Sequence, residues 1–245
     1  MQEYSFFKNP FVPLAFVLGL AIILATGIGA WTTFAVKSLD NTVSVTGSAK
    51  TSVTSDAVRF SFSVARTVAE SDLAVGYSRV SGDLAAVKAF LTAHGVTEAE
   101  LAIEPASANQ IYDYNNTGAP TRYRVSQMVR INSTRVPETT ALAGDISSLS
   151  SSGLFIEANP VEYYYSKLAD LRVSLLGEAV KDAKARADAI AKETGQGVGR
   201  LKSAASGVVQ VLAPNSINID DYGQYDTSSI EKEIMVTTRA TFFVQ

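Results

Sequence analysis

The chain has 245 residues, a formal net charge of −3, 47% hydrophobic residues, one histidine and no cysteine. That apolar content suffices for a packed core and excludes a disordered chain, while the acidic balance removes the positive field that nucleic acid or an anionic lipid surface would require. The missing cysteine excludes disulfides, thiol catalysis and thiolate metal sites, and leaves either redox compartment open.

From Phe11 to Val36 there is no charged residue. At about 1.5 Å per residue this run exceeds the roughly 30 Å of a bilayer core. It is also longer than the usual apolar stretch of about 7–15 residues in a secretory leader. The expectation is a retained transmembrane helix, with a long cleavable leader as the other reading. Trp31 suits an interfacial anchor, and Pro13 is tolerated in a first turn. Ala21, Ala25 and Gly29 are four apart, a small-residue face that would let a neighbouring helix approach, although generic Ala/Gly usage gives the same spacing. Charge bias is weak, with Lys8 on one side and Lys37 on the other. An N-terminal segment of about ten residues before some two hundred polar-surfaced ones usually stays in the cytoplasm, so the expectation is a cytoplasmic segment at 1–10, the helix at 11–36, a linker at 37–41 and an extracytoplasmic domain at 42–245.

Past Thr42 the pattern changes to alternation. Val43 to Gly47 reads as a short strand and Val58, Phe60, Phe62 and Val64 as the apolar face of another. Glu70 to His94 carries Leu73, Tyr77, Val80, Leu84, Val87 and Leu91 at steps of four and three, an amphipathic helix closed by Gly95. Ile103–Tyr114 and Thr121–Thr134 read as strands joined by NNTGAP. Pro137 opens a short helix with Leu142, Ile146 and Leu149, ending at Gly153. Strand returns over Leu154–Tyr165.

Ser166 to Gly195 is the longest periodic stretch of this body. Leu168, Leu171, Leu175, Ala179, Ala183, Ala187 and Ile190 form a stripe that narrows from Leu to Ala, suited to close packing on a sheet. Leu171, Leu175 and Val180 are expected to be buried. Ser166 is the expected N-cap and Gly195 the C-cap, while Asp182–Arg186, Lys184–Asp188 and Asp188–Lys192 pair on the wet face. Strands Arg200–Leu212 and Glu231–Val244 follow, separated by the polar loop PNSINIDDYGQYDTSS, which reads as a mobile tip or a contact surface. Seven strands and three helices without regular βαβ alternation predict an α+β fold, a mostly antiparallel sheet with helices on one face.

Chemistry-bearing patterns are sparse. The one histidine, His94, sits at a helix end where it complements the dipole, and no G-x-S-x-G elbow occurs. The glycines of GQGVG follow a helix instead of opening one, so they read as a turn and not a phosphate loop. Asp220 and Asp221 with Tyr222 and Tyr225 lack the spacing of a calcium loop. Asn115-Asn116-Thr117 and Asn132-Ser133-Thr134 match glycosylation sequons, which matter only on a eukaryotic secretory path. Tyr163, Tyr164 and Tyr165 alternate across a strand, and Arg122, Arg124 and Arg130 share one strand face. Two readings fit these: a subunit interface, or a sheet face covered by its own chain. No catalytic, metal or cofactor residues are assigned. Ala21, Ala25, Gly29, Arg122, Arg124 and Tyr164 are taken as the oligomer-interface candidates.

With these residues laid out, the body resembles the SIMPL-domain proteins of the bacterial periplasm. The resemblance rests on VSVTGSAKTSVTSDAVRFSFSV, on EAVKDAKARADAIAKETGQGVGRLKSA and on IMVTTRATFFV, over roughly Thr42 to Gln245. It implies an α+β fold, export, ring assembly in some relatives, and an association with oxidative-stress and envelope defence without an established catalytic site. This chain departs from many members in keeping a long apolar segment where they have a cleavable leader. The expected function is a membrane-anchored, self-assembling envelope protein of the inner membrane, a homo-oligomer with no catalytic activity, no cofactor and no nucleic-acid partner. The alternative is a small-molecule-binding protein or enzyme whose site is not recognisable from sequence.

Overall fold

The structure is a computed structural model that describes residues 11–38, 41–112, 120–216 and 222–245, without the side chains of Val12, Pro13 and Ser38. The proposed cytoplasmic segment 1–10, the first sequon, most of the NNTGAP loop, and Asp220 and Asp221 lie outside the described residues. Helix α1 spans Phe11–Ser38. Strands β1 (Thr42–Thr54) and β2 (Ala57–Ala69) precede α2 (Leu73–Ala93), and β3 (Leu101–Ile103), β4 (Ser107–Ile111) and β5 (Arg122–Ser133) follow. Next come α3 (Val136–Asp145), α4 (Ser148–Ser151), β6 (Ile156–Ala158), β7 (Glu162–Tyr164), α5 (Leu168–Glu193), β8 (Val198–Leu212) and β9 (Glu231–Val244). The fold is α+β with antiparallel sheets, as the sequence predicts.

Where seven strands are expected, nine occur among the described residues, because two are broken at prolines. Leu101↔Ile131 and Ile103↔Val129 pair in one register of β5, whereas Ser107↔Ser126 and Ile111↔Arg122 pair one residue out of step. The extra residue lies in Glu104-Pro105-Ala106. The opposite edge repeats the device. Phe62↔Ala158 and Arg59↔Glu162 differ by one residue across Asn159-Pro160-Val161. Proline has no N–H for the ladder, so it is confined to edges and bulges.

The chain divides into two compact units. One comprises Lys50–Leu175 and Val208–Val236. Its main sheet has the order β3-β5-β2-β6, with β4 also on β5 and β7 also on β2. Phe60, Phe62 and Val64 of β2 and Val129 and Ile131 of β5 meet Leu84, Val87 and Leu91 of α2 and Leu142, Ile146 and Leu149 of the α3–α4 segment, so those helices share one face. The α2 stripe departs from expectation at one turn, where Gly76 is buried and Tyr77 is exposed. A Cβ on Gly76 would lie 2.9 Å from Val68 Cγ2 and 3.0 Å from Val125 Cγ2. The helix backbone comes so near the sheet that only glycine fits inward.

The other unit comprises Met1–Ala49, Leu176–Gly207 and Thr237–Gln245. Its strands keep the order β1-β9-β8. Gly197 and Gln245 exchange both N–H···O bonds (2.8 and 2.9 Å) beside the β8–β9 pair, the pattern of an antiparallel ladder. Ala183 and Ala187 of α5 pack with Val45, Ala240 and Phe242. Contact is closest at Gly47, where a Cβ would lie 2.1 Å from the Ala179 carbonyl oxygen and 2.4 Å from the Ala183 nitrogen. Asp182 accepts the Ser48 N–H at 2.8 Å and also binds Arg186, so the expected wet-face pair also ties helix to strand.

Along α5, Leu175, Ala179, Ala183, Ala187 and Ala191 are buried, Leu171 and Val180 are half-buried, and Ile190 is exposed. Steps of four trace a row inclined to the helix axis, and a row that keeps to fours follows a twisted surface. Ile190, three from Ala187, falls off that row. The α5 C-terminus closes at Gly195 (φ 71°), with Gln196 N–H on Ala191 O (2.8 Å) and Gly195 N–H on Lys192 O (3.1 Å), as expected of a left-handed cap. Ser166 is not the N-cap. Its N–H and hydroxyl both donate to Asp56, at 2.7 Å each.

In α1, Leu14–Lys37 is long and apolar enough to cross a membrane, and its residues are uncovered by the rest of the chain. The Thr26, Thr32 and Thr33 hydroxyls donate back to carbonyls three or four residues earlier, which satisfies them without water.

Candidate functional site

A groove with convergent polar groups opens at one end of the β2–β5 pair, with a volume of about 430 Å³. It is lined by Ala57, Val58 and Arg59 of β2, by Glu100 just before β3, by Asn132 and Ser133 of β5 with Thr134 after them, and by Tyr164 of β7. Alternation places Arg59 and Asn132 on the same face, opposed in register. The Arg59 Nε donates to Asn132 Oδ1 (3.2 Å), and its guanidinium lies 5.2 Å from the Tyr164 ring centre and 3.7 Å from Glu162. Tyr164 donates its hydroxyl to Glu162 at 3.0 Å. Burial and Glu162 raise its pKa, so this phenol stays protonated.

Glu100 forms the far wall. Its carboxylate accepts from Ser133 Oγ (2.5 Å), Arg135 Nη2 (2.7 Å) and Thr97 N–H (2.9 Å), within a capping box on the 3-10 turn Glu98–Glu100. Burial alone would raise its pKa, but these donors outweigh it and hold the group at about 2. A carboxylate so saturated is a weak base at neutral pH, which suits it to holding the turn against β5.

A second charged centre lies at the start of β9. Lys232 is fully buried and donates to Asp226 O (2.5 Å) and Ser229 O (2.8 Å), with the Asp226 carboxylate at 3.5 Å. Burial lowers the lysine's pKa, partly offset by Asp226. Burial raises that of Asp226, but the Ser228 and Ser229 donors and the lysine take it well below the usual carboxylate range. The clamp folds residues 225–230 onto their own unit: Tyr163 N–H donates to Thr227 O (2.8 Å) and Ser55 N–H to Ile230 O (2.9 Å). This half of the polar loop is thus packed. Sequence reasoning missed Lys232, although it continues the buried alternation of Ile234, Val236, Thr238, Ala240 and Phe242 by one step.

The interface candidates fall in separate places. Arg124 pairs with Glu157 and lies 5.6 Å from the centre of the exposed Phe155 ring; Arg130 binds Glu104 at 2.7 Å. Arg122 is exposed at the β4–β5 end, opposite Ile111. Tyr164 stacks near Tyr225, with centroids 5.9 Å apart, while Tyr163 is buried. Ala21, Ala25 and Gly29 lie on the bare surface of α1. His94 keeps its ring on the Phe90 carbonyl (2.8 Å) at the end of α2. Among the described residues no group of three His, Asp or Glu side chains is placed to hold a metal.

Comparison with known families matches residues 43–242 to one described as "SIMPL: Protein of unknown function (DUF541)". No curated protein matches the chain.

Proposed function

This chain belongs to the SIMPL family, and on that footing we propose that it is a membrane-anchored envelope protein that works by self-assembly. The observation that carries the first half is the exposed apolar helix Leu14–Lys37, followed by a body whose strands and helices have packed cores of their own. A surface of that length and composition needs a bilayer or an apolar partner. In this reading the short N-terminal end is cytoplasmic, the helix is a single retained span of a bacterial inner membrane, and the body is periplasmic. N-terminal sequencing of membrane-extracted protein is expected to begin at or near Met1. A start near Ala30 would make the segment a cleaved leader and overturn the anchor.

Self-assembly is supported by surface chemistry. The sheet face carrying Arg124, Phe155, Glu157, Arg130 and Glu104 sets cations beside carboxylates and an exposed ring, a composition typical of contact surfaces. Ring assembly and a part in oxidative-stress defence come with the family resemblance and belong to the same proposal. The groove around Arg59 and Tyr164 favours the alternative, a small-molecule-binding protein or enzyme. Against it, Glu100, the carboxylate that lines the groove, is committed to holding the fold.

A further inference from the structure

The chain itself fixes which end of the β1-β9-β8 sheet lies beside the apolar helix. Helix α1 ends at Ser38, and Asn41 follows three residues later, a reach of at most about 11 Å. Asn41 O accepts the Val244 N–H at 2.9 Å, and Gly197 exchanges both of its bonds with Gln245. The end of β9 and the start of β8 are therefore held on a short tether to the α1 C-terminus, all within one compact unit. The headgroup layer on each side of a bilayer is roughly 5–7 Å deep, so a spanning α1 delivers this end of the sheet to the headgroups. What stands there is basic and aromatic. Phe243 is half-buried on the sheet face opposite the buried Phe242, with the Arg200 guanidinium 5.2 Å and the Lys202 ammonium 5.6 Å from its ring centre. Leu201 between them is 45% exposed. Lys37 stands in the last turn of α1 and Lys192 in that of α5, so Lys37, Lys192, Arg200 and Lys202 face Asp40 and Glu193 at this end. The whole chain carries a net charge of −3, so this positive excess is local.

We infer that this end of the sheet docks on the bilayer surface through anionic lipid headgroups, with Arg200 on a headgroup phosphate and Leu201 and Phe243 supplying apolar surface beside it. This rests on the membrane-anchor reading above and names the surface that the anchored body turns to the lipid. Arg59, Arg66, Arg124, Arg130, Arg135 and Arg186 each pair with a carboxylate. Arg200 does not: among the described residues its contact is the face of Phe243, which leaves its N–H fork for a phosphate. Lys202 has a further contact within the chain, so Arg200 is the group that takes the phosphate. An arginine stem with an aromatic ring is the side-chain combination that settles at a membrane–water interface. Because α1 already holds the sheet there, docking costs little further translational freedom, and a modest attraction suffices.

The native chain has no cysteine, so a fluorophore on Leu201→Cys reports this end alone, and one on Ser206→Cys, roughly 17 Å along β8, is the comparison. The full-length chain is reconstituted in phosphatidylcholine vesicles with and without phosphatidylglycerol, with some lipids carrying a quencher on the headgroup. With phosphatidylglycerol present, quenching at Leu201→Cys is expected to exceed that at Ser206→Cys several-fold. It is expected to fall when salt is added, and Arg200→Ser should lower the ratio of docked to undocked chain about fivefold. The salt titration needs no change at Arg200, so it decides the matter even where Arg200→Ser folds poorly. Quenching at Leu201→Cys that ignores phosphatidylglycerol, salt and Arg200→Ser would mean tethering alone and overturn the docking. Equal quenching at both positions would lay the whole strand on the lipid and overturn a contact confined to this end. Flotation of the same vesicles separates the two levels of failure. A chain that floats without charge-dependent quenching removes this docking and leaves the anchor standing, whereas a chain that does not float removes both.

Discussion

Glu100 is a residue whose chemistry lies entirely in what it holds. Three kinds of donor converge on one carboxylate, so the folded state keeps it ionised to about pH 2 against an ordinary value of 4.5. Because folding lowers this pKa, its stabilisation is complete above about pH 4.5 and is lost as pH falls towards 2. Glu100→Gln removes charge-assisted bonds to Ser133 and Arg135 and is expected to cost about 1–3 kcal/mol at pH 7. Urea midpoints for wild type and variant should converge as pH drops below 4. A gap that persists unchanged at pH 3 would show that the ionised form contributes nothing. Neither Glu100 nor Lys232 stood out in the sequence. A capping box was readable in Thr97-x-x-Glu100, but Ser133 and Arg135 reach it from 33 and 35 residues away, and only the fold brings them in.

At the level of elements, periodicity was a good guide wherever the backbone stays regular and a poor one where two backbones touch. The α2 and α5 stripes, their glycine caps and the alternation of β2, β5 and β9 all follow from residue spacing. Gly76 and Gly47 do not, because a glycine that admits a neighbouring backbone looks like any other in the sequence. The two strands broken at Pro105 and Pro160 were legible in principle, since proline inside a strand pattern signals an edge or a bulge. The closeness of α5 to β1 makes a sharp comparison possible. Gly47→Ala drives a methyl into backbone atoms that cannot rotate away, and should cost about 1–3 kcal/mol or more. Gly207→Ala meets chiefly the Thr237 hydroxyl, at 2.3 Å, which can turn aside. That change is expected to cost under about 1 kcal/mol. Equal losses in denaturation midpoint would mean that the helix does not rest on Gly47 as described.

For the whole molecule, the apolar stretch at 11–36 was legible as a helix long and apolar enough to cross a membrane. What residue spacing could not convey is which surfaces remain open once the chain has folded, since that depends on edges, and edges depend on strand order. Arg124, Arg130 and Tyr164 all have partners within their own unit. Self-assembly of this chain is the property on which its proposed function turns. The mass of the full-length protein in detergent, measured by light scattering with the detergent contribution subtracted, tests it most directly. A defined multiple of the 26.1 kDa chain that persists on dilution is expected, and a mass of one chain at every concentration would rule self-assembly out.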